Sequence, residues 1–281
     1  MATYCISDIH GHPKEFFRLL DKISPASDDE IYILGDIVDR GPGTVRMLEY
    51  AMYEAPSTMH FLLGNHEDML SSFLHCAEEQ DDGTLFDRFF LDFDHPYLWN
   101  TDRTTLRSVI GRKRRTWWKR EVTAWIDGLP LCAVVMAGGQ RWVLVHAGFS
   151  PMRWENPGSL PQPVFEEGLR EIGARSGNLD LSGIGFGTQW VQTLIWARDG
   201  WLNWPGEPPL PVVCGHTPTQ NGWIQQCIGS LNEAQGASGR ICHIAGRHLI
   251  DCGCGYHRRL ADWNLAAYRL DDGAEFYYRS L

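Results

Sequence analysis

The chain has 281 residues, 43% of them hydrophobic and 12% aromatic, with a formal net charge of -10. That is enough apolar mass for one large or two ordinary domains, and the acidic balance excludes a general nucleic-acid binder, because phosphate backbones are gripped mainly by Lys and Arg. No apolar run approaches the ~18 residues of a membrane span, the amino terminus reaches Asp8 too soon for a signal peptide, and eight cysteines are scattered with no C-x-x-C pair, so a reducing, cytoplasmic setting is expected.

In chain order, short apolar runs each lead directly to a polar residue of metal-ligand type. "TYCIS" runs to Asp8 and His10. The stretch "PKEFFRLLDKI" then spaces Phe16, Leu19, Leu20 and Ile23 as a helix does, with Pro13 at its start. "IYILG" leads to Asp36, and "TVRMLEYAMYE" predicts a second helix with Thr44 as its N-cap. "MHFLLG" leads to Asn65 and His66. From about 68 to 128 the pattern is mostly helical and reads as an insertion within a single domain spanning 1–281; it holds "RKRRTWWKR" at 112–120, expected to be a solvated helix face with Trp118 buried behind it. "WVLV" leads to His146, and the Pro- and Gly-rich segment 151–187 predicts a surface excursion with one short helix. "PVVCG" leads to His216 and "HLI" to Asp251, while "LAAYRLDDGAEFYYRS" predicts a closing hairpin around its "DDG". Buried strands alternating with helices predict an α/β sheet, and ligands of such sheets collect beyond the carboxyl ends of the strands, where these polar residues lie.

Asp8, His10, Asp36, Asn65, His146 and His216 thus come from five strand ends. Six oxygen and imidazole donors can hold two divalent cations if one carboxylate is shared, and Asp36, at the tip of a central strand, suits the shared position. A metal pair ~3.5–4 Å apart is the clamp used for in-line displacement at phosphorus. Ligation by O and N without thiolate favours Mn over Ca, with Fe or Zn equally compatible.

The blocks "DIHG", "GDIVDRG", "GNHE", "VHAG" and "GHT", in this order, resemble the signature of the calcineurin-like metallophosphoesterases, specifically the phosphoprotein phosphatase group. The resemblance implies two packed, mixed β-sheets flanked by helices. It implies Asp8, His10 and Asp36 on one metal, and Asp36, Asn65, His146 and His216 on the other, with a hydroxide shared by the metals as nucleophile. It also implies His66 as general acid oriented by Asp39, Arg40 as a fork onto the phosphate oxygens, and Arg198 in "LIWARD" as a second phosphate clamp. The chain looks closer to bacterial and phage Ser/Thr protein phosphatases and to the symmetrical diadenosine tetraphosphatases than to the eukaryotic enzymes, since Leu63 stands where those have Arg and no "SAPNYC" occurs. A phosphorylated protein is the expected substrate, with a dinucleoside polyphosphate as the alternative. Glu67 leans to the former, and "WNTDRTTLRS", with Thr101 and Asp102 where the tetraphosphatases have glycines, departs from the latter.

Other readings are weaker. "CGCGYHR" spells the C-x5-R of cysteine-dependent phosphatases between Cys252 and Arg258, but lacks the helix that such a loop opens. "GIGFG" at 183–187 has no strand before it, and no G-x-S-x-G elbow occurs. A non-catalytic binding protein would be expected to have a broken ligand set, and this one is complete. His12, His60, His75, His243, His248 and His257 fall outside the motifs and are expected to be structural.

Overall fold

The computed structural model describes residues 1–78, 116–149, 194–202, 204, 206–222, 224–226 and 236–279. The strands are β1 (Thr3–Ile6), β2 (Glu30–Ile33), β3 (Met59–Phe61), β4 (Cys132–Ala137), β5 (Gln140–Val145), β6 (Val212–Cys214), β7 (Cys242–Ile244), β8 (Arg247–Leu249), β9 (Leu265–Arg269) and β10 (Ala274–Tyr278). They form two five-stranded sheets, ordered β10-β9-β1-β2-β3 and β4-β5-β6-β8-β7. In the first, β1, β2 and β3 are parallel and β9 runs antiparallel to both neighbours. In the second, β5, β6 and β8 are parallel, with β4 and β7 antiparallel at the edges. Both sheets are mixed, as expected.

The alternation of side chains along a strand divides the interior. Tyr4 and Ile6 of β1 join a core with Phe16, Leu19, Leu48, Leu70, Phe73 and Trp118, contributed by the helices on the first sheet. Cys5, one residue out of phase, faces the other way with Leu34, Leu144, Val213, Ile250 and Ala266, drawn from both sheets. Val212 and Cys214, flanking Val213, point outward from the second sheet into a third core with Phe149, Leu194 and Trp201.

Among the described residues, four helices cover the first sheet. Helix α1 (Pro13–Ile23) has Pro13 at its first turn and ends at Ser24 in the left-handed region. Helix α2 (Thr44–Glu49) continues as a wider turn over Tyr50–Glu54. Its N-cap is Gly43, not Thr44 as expected; the Thr44 hydroxyl is used elsewhere, accepting the Asp39 N–H at 2.9 Å. Helix α3 (Asn65–Glu78) begins at Asn65 rather than near 68, and α4 (Thr116–Asp127) closes the same stretch of chain. Both pack into the first core through Met69, Leu70, Phe73, Val122 and Ile126, so these two helices form part of the main body. Trp118 is 1% exposed while Trp117 is 53% exposed, which agrees with a solvated face over a buried tryptophan for residues 117–120. Residues 112–115, "WNTDRTTLRS", the excursion at 151–187 and "GIGFG" lie outside the described residues.

Strand β4 was not anticipated. Its signal is legible afterwards: Gly138 and Gly139, both with positive φ, join β4 to β5 in the two-residue turn that suits the twist of a hairpin. The hairpin predicted around "DDG" is present as β9–β10, and the run "HLI" lies at β8, which pairs with β7.

Candidate metal centre

Each of the six candidate ligands lies just past a strand end or in the first turn of the next helix. Asp8 and His10 come after β1, Asp36 after β2, His146 after β5 and His216 after β6, while Asn65 opens α3 beyond β3. All six are buried. The backbone turns sharply there. Of the eight described non-glycine residues with positive φ, six are Asp8, His10, Asp36, Asp39, Arg40 and His216. A left-handed residue costs an ordinary side chain ~1–3 kcal/mol, and such strain concentrates where the fold must aim a functional group. Here it swings the side chains from the line of the strand toward one point between the sheets.

Asp36 is the centre of that point. It belongs to two groups whose ligand-type atoms lie within 4.8 Å of one another, His10 with Asp36 and His66, and Asp36 with His146 and His216. Asp36 Oδ2 is 3.5 Å from His10 Nε2, and Oδ1 is 3.5 Å from His146 Nε2. Oδ1 also accepts the His66 N–H in the first turn of α3 at 3.0 Å, a position favourable to an anion. The first group differs from expectation by including His66, whose Nε2 is 3.9 Å from Asp36 Oδ2. Asp8 is nonetheless adjacent, its Oδ1 3.6 Å from His10 Nε2 and its Oδ2 accepting the His216 N–H at 2.9 Å. Asn65 Oδ1 contacts His146 Nε2 at 3.0 Å and His216 Nδ1 at 2.9 Å.

Two observations test whether these residues suit cations. Backbone carbonyls only accept, so the contacts of His10 Nδ1 with Val38 O at 2.9 Å and of His146 Nδ1 with Leu34 O at 2.6 Å place a proton on each Nδ1. The Nε2 lone pairs of the neutral rings then face the carboxylates of Asp8 and Asp36 and the amide oxygen of Asn65. At His146 lone pair opposes lone pair unless a positive charge sits between them, whereas the His10 lone pair also meets an Arg40 N–H at 2.6 Å; outer carbonyls that fix the tautomer in this way are typical of metal-binding imidazoles. In addition, Asp8 Oδ1 is buried without a hydrogen-bond partner among the described residues. The donor set therefore fits divalent cations.

The electrostatics agree. Burial disfavours charge on Asp36, but the surrounding His146, His66, His10 and Arg40 outweigh it and hold the carboxyl well below the usual range. His10 is lowered by burial and by Arg40, and His216 by burial, His146 and Arg198, so both favour the neutral, ligating form.

The remaining predicted residues also converge. His66 Nδ1–H donates to Asp39 Oδ2 at 2.7 Å, which aims Nε2 into the site. Arg40 donates to His66 Nε2 at 3.0 Å and to His10 Nε2 at 2.6 Å. Arg198 Nε–H donates to His216 Nε2 at 2.9 Å, at the opposite end of the cluster. Burial depresses His66 protonation, yet Asp36 and Asp39 together overcome it and raise the pKa above the ordinary histidine value.

The structure gives Glu67 a role that the sequence reading missed. Its Oε2 accepts the N–H of Asp36 at 2.7 Å and of Gly64 at 3.1 Å; its Oε1 accepts those of Ile37 at 2.8 Å and Val38 at 3.2 Å. One carboxylate thereby ties the turn after β2 to the start of α3. Gly64 is needed for this approach, since a Cβ there would lie 2.3 Å from Asp36 Oδ1. The available sequence signal was an acidic residue one position after His66 in "GNHE", with nothing to say what it held.

The thiol reading fails. Cys252 and Cys254 are buried, and burial, reinforced for Cys252 by Asp251, pushes both thiols well above the ordinary value, whereas a nucleophilic thiolate needs a depressed one. Arg258 is exposed, and only a single 3-10 turn, Cys254–Tyr256, lies between. None of the six histidines outside the motifs belongs to either ligand group among the described residues; His60 contacts Glu30, His75 contacts Asp127 at 2.8 Å, and His243 contacts Glu275 at 2.9 Å.

With this geometry in view, comparison with known proteins is decisive for the family. The family model for calcineurin-like phosphoesterases matches residues 1–234. The chain belongs to that family. It is similar to a protein of Delftia acidovorans named symmetrical bis(5'-nucleosyl)-tetraphosphatase, with 34% identity over 158 residues covering 56% of this chain and 47% of the relative. The chain spans about half the length of the curated relatives it matches. Among solved structures, a protein serine/threonine phosphatase from Saccharomyces cerevisiae aligns with a TM-score of 0.55 and 11% identity, covering 100% of this chain and 80% of that one. A cold-active protein-tyrosine phosphatase of a psychrophilic Shewanella aligns with a TM-score of 0.54 and 15% identity, covering 99% and 80%. Those identities speak to the fold alone, which is the two-sheet fold of the family. The family implies a dinuclear metal centre, and the candidate ligand groups for one are present.

Proposed function

We propose that this chain is a metal-dependent phosphohydrolase whose two divalent cations are held by Asp8, His10 and Asp36 on one side and by Asp36, Asn65, His146 and His216 on the other. The observation that carries this reading is the position of Asp36 in both ligand groups. When bound, a metal pair supplies an activated water and neutralises phosphoryl oxygens; manganese is the proposed metal. Arg40 and Arg198, at opposite ends of the cluster, are positioned to grip the other phosphate oxygens with planar guanidinium edges. His66 would protonate the leaving oxygen from Nε2. Arg40 donates onto that nitrogen in this structure, so an arriving phosphate must draw the guanidinium off before Nε2 can carry a proton. Asp39 holds the ring meanwhile, its carboxylate accepting the Nδ1–H and favouring the protonated acid.

For the substrate, the names of the curated relatives favour a dinucleoside polyphosphate at least as well as a phosphoprotein. Glu67, which leaned toward the phosphoprotein, has both oxygens engaged by backbone N–H groups and so carries no information about substrate. We retain one domain with an insertion at about 68–128, whose described ends, α3 and α4, pack into the first core, and a cytoplasmic setting, as part of this proposal; no helix among the described residues is long and apolar enough to cross a membrane. The test is hydrolysis of diadenosine tetraphosphate and a phosphopeptide panel side by side, with manganese and after chelation. Activity on either that disappears with chelator and returns with manganese supports the metal reading, and the ratio of kcat/KM values selects the substrate. Chelator-insensitive turnover would refute it.

A further inference from the structure

The segment 251–258 remains unexplained once its thiols are set aside, and it lies beyond residues 1–234, where the family model matches. It runs as a strap across the Arg40 end of the metal centre. Asp251 Oδ1 accepts the Gly253 N–H at 2.9 Å, the Asn264 N–H donates to Cys252 O at 2.8 Å, and Tyr256 N–H closes the 3-10 turn on Gly253 O at 2.9 Å. Cys254 is buried in the first core, and the His257 ring meets the His12 and Trp263 rings edge-on at 4.4 and 5.7 Å. So anchored, the strap presses on the site. A Cβ on Gly255 would come within 2.3 Å of His10 Cδ2 and 2.9 Å of an Arg40 terminal nitrogen, and the Tyr256 ring covers the Arg40 guanidinium with its centroid 4.3 Å from Cζ.

From this juxtaposition we infer that Tyr256 is a positioning residue, its ring face holding the Arg40 guanidinium flat so that the in-plane N–H edge stays directed into the metal centre. Arg40 needs such a support. It sits on a turn with φ of 61° and is only partly buried, and among the described residues the hydrogen bonds of its terminal nitrogens are to histidine nitrogens of the site itself. Those contacts are given up when phosphate oxygens arrive, whereas the ring contact uses the face of the cation and survives the exchange. A guanidinium already held in its plane loses less freedom on binding, which lowers the cost of gripping the substrate.

The inference rests on the proposed role of Arg40, and a double-mutant cycle separates the two. Tyr256→Leu, Tyr256→Phe, Arg40→Ala and Arg40→Ala with Tyr256→Leu are assayed in the manganese-loaded 281-residue chain, with kcat, KM and competitive inhibition by inorganic phosphate as readouts. Tyr256→Leu is expected to lower kcat/KM by about 3- to 30-fold, the range of a cation–π contact that is partly desolvated, with phosphate inhibition weakened to match. Tyr256→Phe keeps the ring and is expected to stay within about twofold of the parent. In the Arg40→Ala background, Tyr256→Leu is expected to have no further effect. An equal loss in both backgrounds, or a Tyr256→Phe loss as large as that of Tyr256→Leu, would overturn the positioning role. If Arg40→Ala itself leaves kcat/KM unchanged, the role of Arg40 is what fails.

Discussion

Glu67→Gln probes the part of the site that the ions do not touch. The wild-type carboxylate takes four buried N–H groups, two on each oxygen. Glutamine keeps one oxygen and so serves one pair; its NH2 opposes the other pair, donor against donor. A buried donor left unmet costs ~1–3 kcal/mol, so two give a loss of about 2–6 kcal/mol. One term subtracts from this. Burial and the neighbouring Asp36 charge push the Glu67 carboxyl up to about 8, and the amide escapes that penalty. Cations beside Asp36 would offset the repulsion, so urea denaturation at neutral pH is measured with manganese present and absent, together with manganese affinity by calorimetry. With manganese present we expect the variant to lose about 2–4 kcal/mol of stability, and less in its absence, where the repulsion from Asp36 stands; because the turn that presents Asp36 is loosened, we also expect a loss of ~10–100-fold in manganese affinity. A stability change below ~1 kcal/mol with unaltered affinity would refute the reasoning, since the four N–H groups would then be served without the carboxylate.

His66→Asn is expected to cut turnover by about two to four powers of ten while metal content by elemental analysis stays unchanged; loss of metal would make His66 a ligand instead of an acid. Asp36→Asn is expected to lose both ions by the same analysis, because two cations ~4 Å apart cannot be held against their repulsion without the shared charge; retention of either ion would show that the other donors suffice. Away from the site, burial and then His243 depress His248 to about 3. An unfolded histidine takes a proton below ~6.5 while the folded one does not, so stability falls as pH drops from about 6.5 toward 3. His248→Phe, which can keep the contacts with Tyr268 and Trp142, is expected to remove ~2 kcal/mol of the stability difference between pH 7 and 4.5. An unchanged difference in denaturation free energy would contradict the assignment.

The residues at strand ends were legible in the sequence because burial writes a strand as an apolar run, and the first polar residue after it marks where the chain leaves the sheet. Asp8, Asp36, His146 and His216 were found that way. What the runs could not convey is direction. Six left-handed residues aim the site, and nothing in the letters Asp, His or Arg announces positive φ, as it would for Gly. Thr44 shows a related limit: a hydroxyl before an apolar helix reads as a cap, but here it serves the Asp39 turn and Gly43 caps the helix. Glu67 and Tyr256 were opaque for a different reason. Each acts on residues about thirty or two hundred positions away, Glu67 on the Asp36 turn and Tyr256 on Arg40, and such pairings exist only once the two β–turn units and the strap have folded together.

Anomalous diffraction from crystals grown with manganese tests the central claim most directly. The account predicts two peaks per chain ~3.5–4 Å apart, one touching Asp8, His10 and Asp36 and the other Asp36, Asn65, His146 and His216, with the Asp36 carboxylate contacting both. A single peak, or a pair in which Asp36 contacts neither ion, would contradict it.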